Sequence, residues 1–171
     1  MAKATKAKTD KAKAGAKPAA KAAVAEKPTS GFWLFKSEPD VFSYDTLVSR
    51  GAKGEAWDGV RNFQARNNMR AMKVGDLGFF YHSNEGKEIV GVLEVIATVH
   101  PDPKDAKWEC VDVRAVCAMP KPYSLDAAKA NENLAKMVLV NNSRLSVQPV
   151  AVDEWNEICR LGGLDPKKIK R

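Results

Sequence analysis

The chain has 171 residues, 28 Lys and Arg against 21 Asp and Glu for a formal charge of +7, and 44% hydrophobic residues. Such a length holds one domain with room for a tail, and such an apolar fraction is enough for a packed core. The charge excludes a broadly basic domain because it sits at the ends: residues 1–30 carry eight Lys against Asp10 and Glu26, residues 165–171 carry four basic residues against Asp165, and residues 31–164 carry 16 basic and 18 acidic residues.

Residues 1–30 are mostly Lys and Ala, with Gly15, Pro18 and Pro28 and no aromatic residue, Leu or Ile. A segment that can bury so little apolar area does not offset its chain entropy, so disorder is expected. Its expected work is sequence-independent contact with phosphates. With all eight Lys on duplex DNA, log K would fall with log salt at a slope of about −7. No secretory segment is expected, for want of an apolar stretch. Nor is a membrane helix, for want of an apolar run of about 18 residues.

A folded body is expected from Gly31. Phe32–Phe35 reads as a buried strand, and Lys36-Ser37-Glu38-Pro39-Asp40 as a turn. Ser43 reads as the N-cap of a short helix, Tyr44 to Arg50, stopped by Gly51. A loop from Gly54 to Gly59 carries Trp57, and Asn62 is placed to cap a helix running to about Met72. Lys73–Asp76 turns into a strand at Leu77–His82, and Ser83–Gly86 is a hairpin turn into the longest strand, about Glu88 to Val99. Trp108–Val116 pairs with that strand after Pro101-Asp102-Pro103. Residues 124–137 are helical in composition, and Val138–Val140 reads as a short strand. Val152, Trp155 and Ile158 share one face of a last helix that Gly162-Gly163 ends.

Five or six strands, hairpin spacing in the middle and small peripheral helices predict an α+β domain: a mixed, closed or nearly closed β-barrel. Leu77–Val116 holds no helix for a parallel crossover, which argues against a doubly wound sheet. The expected boundaries are a tail at 1–30, the barrel domain at 31–165 and a basic end at 166–171. Cys110, Cys117 and Cys159 form no C-x-x-C pair and read as free thiols in a reducing cytoplasm. With His82 and His100 the only histidines, no structural zinc site is expected, and no cofactor.

Trp57-Asp58-Gly59-Val60-Arg61-Asn62-Phe63-Gln64-Ala65-Arg66-Asn67-Asn68-Met69 is the most informative segment. A Trp between glycines either plugs a core or stacks on a ligand. Asn62, Gln64 and Asn67 carry donors and acceptors that suit a base edge. Arg61 and Arg66 suit a phosphate at a helix N-terminus, or else a solvated face or internal ion pair.

This segment, together with Phe35-Lys36-Ser37-Glu38-Pro39, Tyr81-His82-Ser83 and Ile89-Val90-Gly91, resembles the signature of the EVE domain, a member of the PUA-like superfamily. The resemblance covers Phe32 to about Leu164. It implies a PUA-like barrel with a pocket for one nucleobase, modified in DNA or RNA, such as 5-methylcytosine or 5-hydroxymethylcytosine. EVE domains are relatives of YTH domains, which hold N6-methyladenine in an aromatic cage. Lys36-Ser37 is similar to a Lys-Ser segment there, and Trp57 to the first cage Trp. Trp33, Phe80 and Tyr81 are further walls that the motif does not assign.

The candidate binding residues are Lys36, Ser37, Trp57, Asp58, Gly59, Val60, Arg61, Asn62, Gln64, Arg66, Tyr81, His82 and Ser83. Arg144 and Ser146 join them from the loop-like segment Ser143–Val150, which also reads as a structural turn. His82 beside a turn reads more readily as a structural histidine. The expected function is non-enzymatic binding of one modified base, with residues 1–30 gripping nucleic acid nonspecifically, in the cytoplasm or on a bacterial nucleoid. General RNA binding without modification preference is the alternative, as is a nucleoside amidohydrolase using Lys36, Ser37 and Glu38.

Overall fold

The computed structural model describes residues 30–169. The expected tail lies outside the described residues except for Ser30, as does the end of the basic C-terminus. Six strands form one mixed sheet in the order β2-β5-β4-β3-β1-β6. They are β1 (Phe32–Ser37), β2 (Glu55–Ala56), β3 (Leu77–His82), β4 (Glu88–Asp102), β5 (Asp105–Ser124) and β6 (Val147–Pro149). β1 and β3 pair in parallel, and the other neighbours are antiparallel. The helices are α1 (Tyr44–Ser49), α2 (Phe63–Arg70), α3 (Leu125–Ala130), α4 (Val138–Asn141) and α5 (Val152–Leu161).

The helix starts follow local chemistry. Ser43 Oγ accepts the Thr46 N–H at 3.1 Å and Asn62 Oδ1 accepts the Ala65 N–H at 2.9 Å, each satisfying a donor that the first turn leaves open. Strand alternation then sorts the apolar side chains. Trp33, Phe35, Phe80, Leu93 and Val113 face one cluster, with Trp57 and α2. Leu34, Phe79, Tyr81 and Val92 face another, closed by α5, whose Trp155 stacks on Phe79 at 4.1 Å and on Phe32 at 4.4 Å. Gly91 seats α1 against β4. A Cβ there would lie 2.3 Å from Tyr44 Cζ, whose hydroxyl donates to Val92 O at 3.1 Å.

The two edges of the sheet do not pair with each other, and a helix bridges its two sides. β2 and β6 stand at opposite ends of the strand order. Helix α2 touches both β5 and β6. Asn68 Nδ2 donates to Val147 O at 2.8 Å on β6, and Arg70 pairs with Glu109 on β5.

Two expectations are corrected. Val138–Val140 is a helical turn in α4, not a strand. A three-residue apolar run has no period of its own, and Asn141 Nδ2 ties the turn to Met137 O and Ala135 O at 2.9 Å each. The strand expected to end at Val116 runs on to Ser124, because Gly91 pairs with Ala118 and Ile89 with Tyr123. Pro120 and Pro122 sit inside the resulting bulge, where no ladder donor is needed.

Candidate nucleic-acid interface

Trp57 leaves β2 with its N–H donated to Val111 O at 2.7 Å. Its side chain turns inward and is only 6% exposed. Three rings meet it edge-on: Phe35 at 5.1 Å, Phe80 at 5.4 Å and Phe42 at 5.9 Å, with interplanar angles of 72–82°. Phe35 and Phe80 are fully buried, so Phe42, which is half-buried, is the ring of the three that reaches the surface. Of the two sequence readings of Trp57, the structure places it in the core. Trp33 lies in the same cluster, with its indole N–H on Asp76 at 2.9 Å.

The loop after Trp57 is pinned to the tip of the β4–β5 hairpin by one carboxylate. Asp102 Oδ2 accepts from Gly59 N at 2.9 Å and from Arg61 Nη1 at 2.9 Å, while Oδ1 accepts from Lys104 N at 2.7 Å. Burial alone would raise the pKa of Asp102, but these donors outweigh it and hold it at about 2. Asp58 accepts from Lys104 Nζ at 3.0 Å, and Val60 packs inward at 5% exposure. Asp102 is absent from the sequence-based candidates, where it reads as a turn residue between two prolines.

Beyond Arg61 lies an exposed aromatic and cationic patch. Phe63, 65% exposed on α2, meets Trp108 of β5 at 5.1 Å. Arg66 lies over Phe63 at 4.9 Å and over Trp108 at 5.9 Å, and Arg61 over Trp108 at 5.6 Å. Arg66 Nε is buried without a hydrogen-bond partner among the described residues, whereas Arg70 is engaged by Glu109. Gln64 is exposed beside them, and Asn62 spends its oxygen on the helix cap. Phe63 and Trp108 were missed as site residues. Their one sequence signal is a basic residue nearby, Arg61 and Lys107, and only the packing of α2 on β5 joins them.

The remaining candidates fall into two groups, because β1 and β3 run in register, with Phe35 beside Phe80, Lys36 beside Tyr81 and Ser37 beside His82. Ser37 and His82 therefore share the Trp57 face. Ser37 O accepts Ser83 N at 2.9 Å, and the Ser37 hydroxyl has only a long 3.4 Å contact to Glu38 O. His82 Nε2 accepts the Tyr44 N–H at 3.1 Å, which places the proton of the neutral ring on Nδ1, and burial lowers its pKa. Lys36 and Tyr81 project to the opposite face. Lys36 Nζ donates to Ser143 O at 2.7 Å and lies 5.5 Å from the centre of the Tyr81 ring. Burial lowers the Lys36 pKa to about 8. Ser146 O accepts Lys36 N at 2.9 Å, and Arg144 is exposed on the same loop. Lys36 and Ser37, adjacent in sequence, are thus not brought together.

Fold and motif define an EVE domain: the family model of that name matches residues 31–161, and the chain belongs to this family. Among its relatives, mouse thymocyte nuclear protein 1 is 34% identical over 174 residues, covering 82% of this chain and 77% of the relative. A crystal structure of a protein from Agrobacterium tumefaciens is 58% identical, with a TM-score of 0.78 over 82% of this chain and 99% of that one. The crystal structure of the human THYN1 protein in complex with 5-methylcytosine containing DNA is 33% identical. Its TM-score is 0.72, over 79% of this chain and 99% of that one.

Proposed function

We propose that this chain is a non-enzymatic reader that holds one modified nucleobase, a cytosine modified at C5, against the Trp57 ring. The observation that carries the reading is the human relative, which shares this fold and was solved with 5-methylcytosine containing DNA. Entry of a base requires the half-buried Phe42 and its turn to move aside. One base on an aromatic face contributes about 1–3 kcal/mol. Extruding it from a duplex costs a few kcal/mol, and less from a single strand.

Ser37, whose hydroxyl has only a long local contact, and the backbone of Asp58–Arg61 supply the polar edge. The ring pair of exposed Phe63 and half-buried Trp108, with Arg61 and Arg66, holds the flanking strand, and the Lys-rich residues 1–30 add nonspecific contact. One methyl group discriminates by only about 1–3 kcal/mol, so selectivity is moderate. The opposed directions of Lys36 and Ser37 support binding over hydrolysis, since no Ser–Lys pair forms.

The test is fluorescence competition with the full chain. Matched DNA and RNA strands carry cytosine, 5-methylcytosine, 5-hydroxymethylcytosine, adenine or N6-methyladenine at one position. The expected result is a preference of about tenfold, 1.4 kcal/mol, for a C5-modified cytosine. Trp57→Phe and Ser37→Ala should reduce that preference. Equal binding across the panel overturns the reading in favour of general nucleic-acid binding. Deleting residues 1–29 should lower affinity and flatten its salt dependence while preserving the preference.

A further inference from the structure

The geometry points to a transition-metal site, suited to zinc, formed by His100 of β4 with Cys110 and Asp112 of β5. The two strands are hydrogen-bonded neighbours with His100 opposite Cys110, and Cys110 and Asp112, two apart, share a face. His100 Nε2 lies 2.8 Å from Asp112 Oδ1 and 3.7 Å from Cys110 Sγ, and the three donor atoms all fall within 4.8 Å of one another. Tetrahedral zinc, with bonds of about 2.0–2.3 Å, sets its ligand atoms about 3.3–3.6 Å apart. Cys110 Sγ lies near this spacing from Nε2 but equally far, 3.7 Å, from Nδ1, so the His100 ring must turn to aim Nε2 at the shared centre, and the nitrogen–oxygen edge needs to open by about half an ångström.

The outer contacts fit as well. His100 Nδ1 lies 3.1 Å from Pro101 O and donates its N–H to that carbonyl, so loss of the Nε2 proton, which Asp112 Oδ1 accepts at 2.8 Å in the metal-free chain, opens Nε2 to a metal. Imidazole, thiolate and carboxylate are zinc ligands of ordinary type. His100 and Asp112 line a cleft together with Arg50, Lys53 and Glu55, while Cys110 is buried. Zinc with one thiolate, one carboxylate and neutral imidazole has no net charge, so the cleft cations do not oppose it. Binding forms Zn–S, Zn–N and Zn–O bonds and releases the Cys110 thiol proton, with any proton on His100 Nε2, to solvent. Counting histidines alone missed this set, because the bulges between Ala97 and His100 decide which strand residues face each other. A bound metal would brace the hairpin that carries Asp102, two residues from His100.

The test is metal titration of the full chain after chelator treatment. The expected result is one zinc per chain, and with Co²⁺ a thiolate charge-transfer band and tetrahedral visible bands. Cys110→Ser should abolish the charge-transfer band although Cys117 and Cys159 remain. The half-buried His100→Ala, confirmed folded by circular dichroism, should weaken zinc at least about tenfold. Absence of the band in the unmodified protein, or its survival in Cys110→Ser, overturns the site and leaves His100 and Asp112 as an ion pair only. Base selectivity is not part of this readout, so either outcome is independent of the proposed function.

Discussion

Asp102 Oδ2 and Arg61 Nη1 stand 2.9 Å apart, with the acid side chain fully buried and the Arg side chain 40% exposed. The same oxygen holds Gly59 N, so one carboxylate on the β4–β5 hairpin sets the path of the loop that follows Trp57. Replacing it by Asn removes the charge and turns one of its two acceptor oxygens into an N–H donor, which then faces either Lys104 N or the Gly59 and Arg61 donors. Asp102→Asn should destabilise the fold by about 1–3 kcal/mol at pH 7, read from urea unfolding. Because the folded pKa is depressed from 3.8 to about 2, the charge-dependent part of this contribution is present above pH 3.8 and is lost as pH falls through about 2. The gap between the two proteins should narrow over that interval, and a gap independent of pH would contradict the assignment.

The two histidines should titrate on opposite sides of the ordinary value. Burial lowers His82, and its neutral Nε2 caps α1, so its contribution is complete above pH 6.5 and lost as pH falls below it. The hydrogen bond that His100 donates to Asp112 raises the His100 pKa, so its contribution is present below 6.5 and lost as pH rises through its folded pKa. A metal-free NMR titration of the imidazole protons checks the order. His82 titrating above His100 would exclude this description.

Trp57→Ala should cost about 3–5 kcal/mol, because it empties a site between three rings. Trp57→Phe should cost less. Unfolding midpoints of both variants test this, and a midpoint for Trp57→Ala equal to the parent's would show that the ring is not packed. Loss of binding in Trp57→Ala alone therefore reports folding as much as recognition.

Phe63→Ala and Arg66→Gln should leave stability within about 0.5 kcal/mol, since the ring is exposed and the Arg66 Nε has no partner to lose among the described residues. Each should weaken binding of a single-stranded oligonucleotide. Phe63→Ala should lose about 1–3 kcal/mol through stacking. Arg66→Gln should reduce the salt slope by about one. Unchanged affinity in both variants would remove the patch from the interface.

Local chemistry determined most of the elements from sequence. Ser43 and Asn62 satisfy the donors nearest to them, β-rich apolar runs form β1, β3 and β4, and the Trp155 face of α5 follows a 3.6-residue period. The motif from Trp57 to Met69 likewise marked the family, because its residues are contiguous. Contacts between distant segments were decided by tertiary structure alone. Val138–Val140 became a helical turn because its surroundings, not its three residues, select the state. Lys36 and Ser37 parted because adjacent strand residues point to opposite faces, a fact that matters only once β3 lies alongside. Trp57 was buried by Phe35, Phe42 and Phe80, while Asp102 reached Arg61, Phe63 met Trp108 and His100 faced Cys110 across register shifts of the sheet. Each of these pairings depends on strand register and helix docking, which are set by the whole core at once rather than by the residues that end up in contact.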